Sequence, residues 1–188
     1  MSVRKPAADG FNTRQKLTLF HGTALSAEAA LSTPDEDITF EMMLSNGVKA
    51  LNLVTAGIRP MVMKQHGVVG ASQMRRLGVD ALHLVDSNLC TEANSAFGAA
   101  DVVAAFLVSP QDAVALAGSD ATKTLNISVQ QLLEACAGAP TEAMSVLQQV
   151  TDERPLSGVS TRVLLDTGLR APQLKQLGYN LSSLSQMA

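Results

Sequence analysis

Three histidines (His21, His66 and His83) and two cysteines (Cys90 and Cys136) are the side chains of this chain best suited to acid–base, nucleophilic or metal chemistry. A zinc site needs several such ligands at close spacing, and a nucleophilic thiol needs an imidazole to activate it. The sequence spaces them for neither. His66 stands directly before Gly67, a position where an imidazolium meets the negative end of a helix. His83 falls at an ordinary position of a repeated phrase, and the two lone cysteines read as buried, reduced thiols. "FHGTALS" around His21 contains no Gly-x-Ser-x-Gly elbow, and "GVVGAS" from Gly67 is too short and follows no strand. The expectation is a protein without catalytic residues, cofactor or metal.

Charge narrows the partner class. Seventeen acidic and 14 basic residues give a net charge of −3, whereas domains that live on nucleic acid or anionic lipid are usually basic. The cations Arg59, Lys64, Arg75, Arg76, Arg170 and Lys175 read as a solvated ridge and a candidate interaction surface, able to meet an acidic partner. "RRLGVDALHLV" invites comparison with the helix-hairpin-helix DNA motif, but that hairpin carries two glycines two residues apart, and only Gly78 stands here.

The elements that carry these residues announce themselves through glycine. Gly47, Gly57, Gly67, Gly78, Gly168 and Gly178 each have an apolar residue four positions before them and another directly after. That is the pattern of a helix closed by a left-handed glycine, with the following residue folded back onto the last turn. Starts agree with stops. Thr39, Ser109, Ser128 and Ser160 are natural N-caps, and Pro60, Pro110 and Pro172 suit a first helical turn. "TPDE" from Thr33 reads as a capping-box variant. Lys64, Arg75 and Lys175 each precede a glycine by three, where a cation meets a helix C-terminus.

The same phrase returns at longer range. "ASQMRRLGVD" from Ala71 is rewritten as "APQLKQLGYN" from Ala171, and "MLSNGVKALNLV" from Met43 overlays "MRRLGVDALHLV" from Met74, a shift of 31. Three short phrases make that longer period. Helices this short are not stable alone, since an isolated helix needs roughly 12–15 residues to be even marginal in water. They persist by stacking, as in helical solenoids.

The fold expected is all-α: an irregular solenoid or compact bundle of two-turn helices with glycine C-caps. Residues 1–16 are read as a polar extended arm, 17–150 as the helical repeat domain, 151–158 as a linker, and 159–188 as a C-terminal repeat packing on the body or a neighbour. No stretch approaches 18 uninterrupted apolar residues and no signal-peptide run opens the chain, so a reducing intracellular compartment and no membrane are expected. The function expected is a non-enzymatic scaffold, a subunit of a filament, capsid lattice or large ribonucleoprotein. It would bind other proteins through helical faces and the arm. The alternative is a nucleic-acid adaptor using the Arg/Lys ridge.

Overall fold

The computed structural model describes residues 11–65, 68, 70–86, 89–150 and 158–176, and every regular element among them is helical. The first helices are α1 (Thr13–Leu19), α2 (Ala27–Ser32), α3 (Phe40–Ser45), α4 (Ala50–Thr55), α5 (Pro60–Gln65), α6 (Ala71–Arg76) and α7 (Ala81–Asp86). They continue as α8 (Cys90–Phe97), α9 (Ala99–Phe106), α10 (Pro110–Ala117), α11 (Ala121–Thr124), α12 (Val129–Ala135) and α13 (Pro140–Gln149). The last described are α14 (Thr161–Asp166) and α15 (Ala171–Gln176). The stretch Thr39–Asp86 holds five six-residue helices, α3 to α7. No described helix is long and apolar enough to cross a membrane.

Each six-residue helix buries a narrow edge. In α3, α6 and α7 the first and fourth residues are buried: Phe40 with Met43, Ala71 with Met74, and Ala81 with Leu84. Residues three apart share one side of a helix, so two side chains form the whole inward face. The residue after the reversal completes it, and Val48, Ile58, Val68 and Val79 are all at most 4 % exposed. Burying a Leu, Met or Val stabilises by roughly 1.5–3 kcal/mol, which is what holds helices too short to survive in isolation.

The reversals have consistent geometry. Gly47, Gly57, Gly78 and Gly168 have φ of 77°, 66°, 93° and 78°. At the first two, the Val48 and Ile58 N–H groups donate back to Met43 O and Leu53 O, each at 3.0 Å. At Asn126 (φ 52°) an asparagine does the same work, with the Ile127 N–H reaching Thr122 O at 2.9 Å. Gly67 and Gly178 lie outside the described residues. Replacing Gly47 by valine is expected to cost about 2 kcal/mol, because a β-branched residue resists this torsion. Nothing lies within 4 Å of an added Cβ there, so the cost is purely torsional. A shift in urea midpoint measures it, and an unchanged midpoint would contradict it.

At the helix starts, Thr39, Ser109, Ser128 and Ser160 accept from the backbone N–H three residues on, at 3.3, 3.2, 3.2 and 3.3 Å. "TPDE" differs from its reading: Thr33 closes α2, its hydroxyl donating to Ala29 O at 2.7 Å, and residues Asp35–Asp37 form a 3-10 turn without a side-chain cap. The stretch read as an arm is also shorter at its inner end. Asn12 caps α1 through Gln15 N–H (2.9 Å) with Gln15 returning the bond, and Phe11 is buried, so helix begins at Thr13. Residues 1–10 of that arm and 151–157 of the linker fall outside the described residues.

Much of the packing links elements three apart in the chain, although α12 packs on α10 and on α14, two elements away. α1 packs on α4, α5 on α8, α6 on α9, α7 on α10, α8 on α11, and α10 on α13. One core of buried aliphatic, methionine and phenylalanine side chains runs from Phe11 to Leu174.

Candidate functional site

A six-residue helix has more unsatisfied terminal carbonyls than internal ones, since the last four of any helix lack an intrahelical donor. Side chains from the helix three elements away supply part of the deficit. Asn52 Nδ2 on α4 donates to His21 O just beyond α1 at 2.9 Å, and Asn94 Nδ2 on α8 donates to Thr124 O at the end of α11 at 3.0 Å. Lys64 Nζ on α5 donates to Ala96 O in the last turn of α8. Gln111 of α10 donates to Glu142 of α13 at 3.4 Å, and the Ser160 N–H reaches Gln130 Oε1 at the same distance. These five bonds join residues 30 to 32 apart in the chain. The spacing matches the 31-residue overlay of the sequence.

The residues read as a basic ridge take part in this bonding. Besides Lys64, Arg59 Nε pairs with Glu92 Oε1, although 55 % of the Arg59 side chain stays exposed. The Arg76 guanidinium lies 5.2 Å from the centroid of the Phe40 ring, joining α6 to α3. Arg75 is the most engaged: Nη2 donates to Asp112 Oδ2 at 3.0 Å, and its guanidinium stands 5.9 Å over the Phe106 ring. Its Nη1 is buried without a hydrogen-bond partner, a cost partly offset by the ring face beneath the guanidinium. Arg170 and Lys175, beside and on α15, are exposed. Arg59, Lys64 and Arg76 are exposed and Arg75 is half-buried, and all four also face counter-charges, carbonyls or rings of their own chain.

Asp112, Glu92, Asn52, Asn94, Phe40 and Phe106 are the partners that sequence reading missed. Asp112 is a buried charged residue, 6 % exposed, and its Oδ2 accepts from Arg75, from Ser109 Oγ at 2.8 Å and from the Val108 N–H at 3.4 Å. Asp112 is also the third residue of a Ser109-capped helix, which was its one legible signal.

The titratable candidates are dispersed. His83 Nδ1 sits 2.7 Å from Asp80 Oδ1, which also accepts the His83 backbone N–H at 2.8 Å. Burial pushes the Asp80 carboxyl up, but these His83 contacts outweigh it and its pKa is lowered overall. Its stabilising contribution is thus present above the ordinary carboxylate pKa and lost as pH falls through the lowered one. His66 is outside the described residues. His21 borders an open cleft of about 440 Å³ between α1 and α4, lined by Leu17, Thr18, Leu51, Asn52 and Thr55, with no second titratable group. Among the described residues, no three His, Cys, Asp or Glu side chains converge to hold a metal ion.

Both cysteines are buried and free. Burial, reinforced by the Glu142 carboxylate, pushes the Cys136 thiol up to about 11, and burial raises Cys90 in the same direction. Alkylation of the native protein at pH 8 is expected to run about 100-fold slower than in urea, read by mass shift over time. Rapid labelling of the folded chain would overturn the burial of these thiols. Because both folded values lie above the ordinary 9.0, the stability they confer holds below pH 9 and falls as pH climbs toward 11.

Several large apolar side chains also remain on the outside. Leu51, Met61 and Leu82 are 72, 42 and 55 % exposed, and each is the second residue of its helix, in α4, α5 and α7. Leu165 (69 %) and Leu31 (43 %) are likewise outside. Comparison with protein-family models, curated proteins and solved structures finds no match to this chain.

Proposed function

We propose that the chain is a non-enzymatic scaffold: a solenoid-like stack of glycine-capped two-turn helices, three to a coil, that serves as a subunit of a larger protein assembly. The observation that carries this reading is the recurrence of an exposed apolar side chain at one helical position, in Leu51, Met61 and Leu82. Scattered surface leucines are ordinary, but three large apolar side chains share one helical position, in α4, α5 and α7, with Glu41 and Ser72 holding it in α3 and α6. Filament, capsid-lattice and ribonucleoprotein subunits all fit that description. The nucleic-acid adaptor has less support, because four of the six cations it would use are engaged with their own chain.

The test is the sedimentation of the native protein in extract from its source. The chain is expected to travel in a particle far heavier than its own 19.7 kDa. Joint substitution of Leu51, Met61 and Leu82 by glutamine should release the chain from it. Sedimentation as a free monomer, or a salt-steep affinity of the purified protein for DNA or RNA, would overturn the proposal.

A further inference from the structure

We infer that α2 and α14 are complementary faces through which two copies of this chain join head to tail; this rests on the assembly reading above and names its partner. On α2 the exposed residues Glu28 and Leu31 stand three apart, on the side opposite the buried Ala30. On α14 the exposed residues Arg162 and Leu165 stand three apart, on the side opposite the buried Val163 and Leu164. Residues three apart are neighbours along one helix face, so each helix presents one charge and one leucine as a unit. The charges are opposite. Laid side by side in parallel, Glu28 meets Arg162 and Leu31 meets Leu165.

The surroundings carry the same complementarity. Residues 11–45 hold five acidic side chains against two basic ones, and Glu36, Asp37 and Glu41 beside α2 are exposed. Residues 158–176 hold three basic side chains against one acidic, with Arg170 and Lys175 exposed beyond α14. Arg162 is 90 % exposed and its one ion pair among the described residues, with Asp166 at 3.8 Å in the same helix, is a loose surface pair that a closer carboxylate would displace. Leu165, at 69 % exposure, is second only to Leu51 among the large exposed apolar residues described. Because the two faces differ, the contact is heterologous and propagates, giving a ring or an open filament.

Sedimentation of the purified full chain over a concentration series, at low and at high salt, tests this. Association is expected at low salt and should weaken as salt screens the charges. Glu28→Arg and Arg162→Glu should each weaken it by about 10-fold, and the double swap should return it close to the original, because like charges repel across the contact and the swap restores opposition. Leu165→Gln should weaken it similarly, and all three positions are exposed, so the fold is not at stake. A chain that stays monomeric at every concentration, or a double swap without recovery, would overturn the inference. That outcome leaves the heavy native particle untouched, so the two failures are told apart.

Discussion

Truncating Phe106 to alanine is expected to remove about 3–5 kcal/mol of folding stability, the range typical of a buried aromatic replaced by a methyl group. Phe106 ends α9, is completely buried, and its ring lies under the Arg75 guanidinium of α6, the helix that packs on α9. The substitution leaves a void the size of a ring between helices three elements apart, and takes away the surface over which a half-buried cation rests. Net stabilities of such domains are about 5–15 kcal/mol, so the variant should be close to unfolding at ambient temperature. Urea denaturation followed by circular dichroism measures the loss. A cost below about 1 kcal/mol would mean that α6 and α9 do not meet at this ring.

Asp112→Ala is expected to cost about 2–4 kcal/mol for a different reason. Its carboxylate holds three donors, and it is 8 % exposed while Arg75 is 31 % exposed. Removing one partner of a fully buried pair costs roughly 3–5 kcal/mol, because the remaining charge stays desolvated. Partial exposure of Arg75 lets water recover some of that. Arg75→Met in the Asp112→Ala background should therefore give back part of the loss, with a coupling of about 1–2 kcal/mol in the double-mutant cycle. Strict additivity of the two substitutions would show that the pair does not interact.

The local rules of this fold are written in short words. Glycine four residues after an apolar position, a hydroxyl before the first helical residue, and proline at α5 and α10 are signals that act within ten residues of chain, and each leaves a mark in sequence. Asn126 takes a glycine-type torsion that its residue type permits but does not announce. "TPDE" shows the limit of such rules, since its threonine closes α2 before it can open anything. The long-range pairs are another matter. Nothing in "RRLG" says that Arg75 will meet Asp112, 37 residues on, while Arg76, its neighbour, turns to Phe40. Which partner each cation finds depends on how helices distant in the chain pack together. The 31-residue overlay matches the 30- to 32-residue spacing of the hydrogen bonds between helices. The residues that make these bonds (Asn52, Asn94, Gln130) are common polar residues with no signature of their own.

The most direct measurement is the distance between spin labels at the exposed Gln111 and the half-buried Glu142, 31 residues apart on α10 and α13. If the chain returns over itself every three helices, the labels should lie near the roughly 8–10 Å that separates packed helix axes, extended only by their tethers. A separation of about 40 Å or more, as a continuous helical rod of that length would give at 1.5 Å per residue, would contradict the three-helix coil.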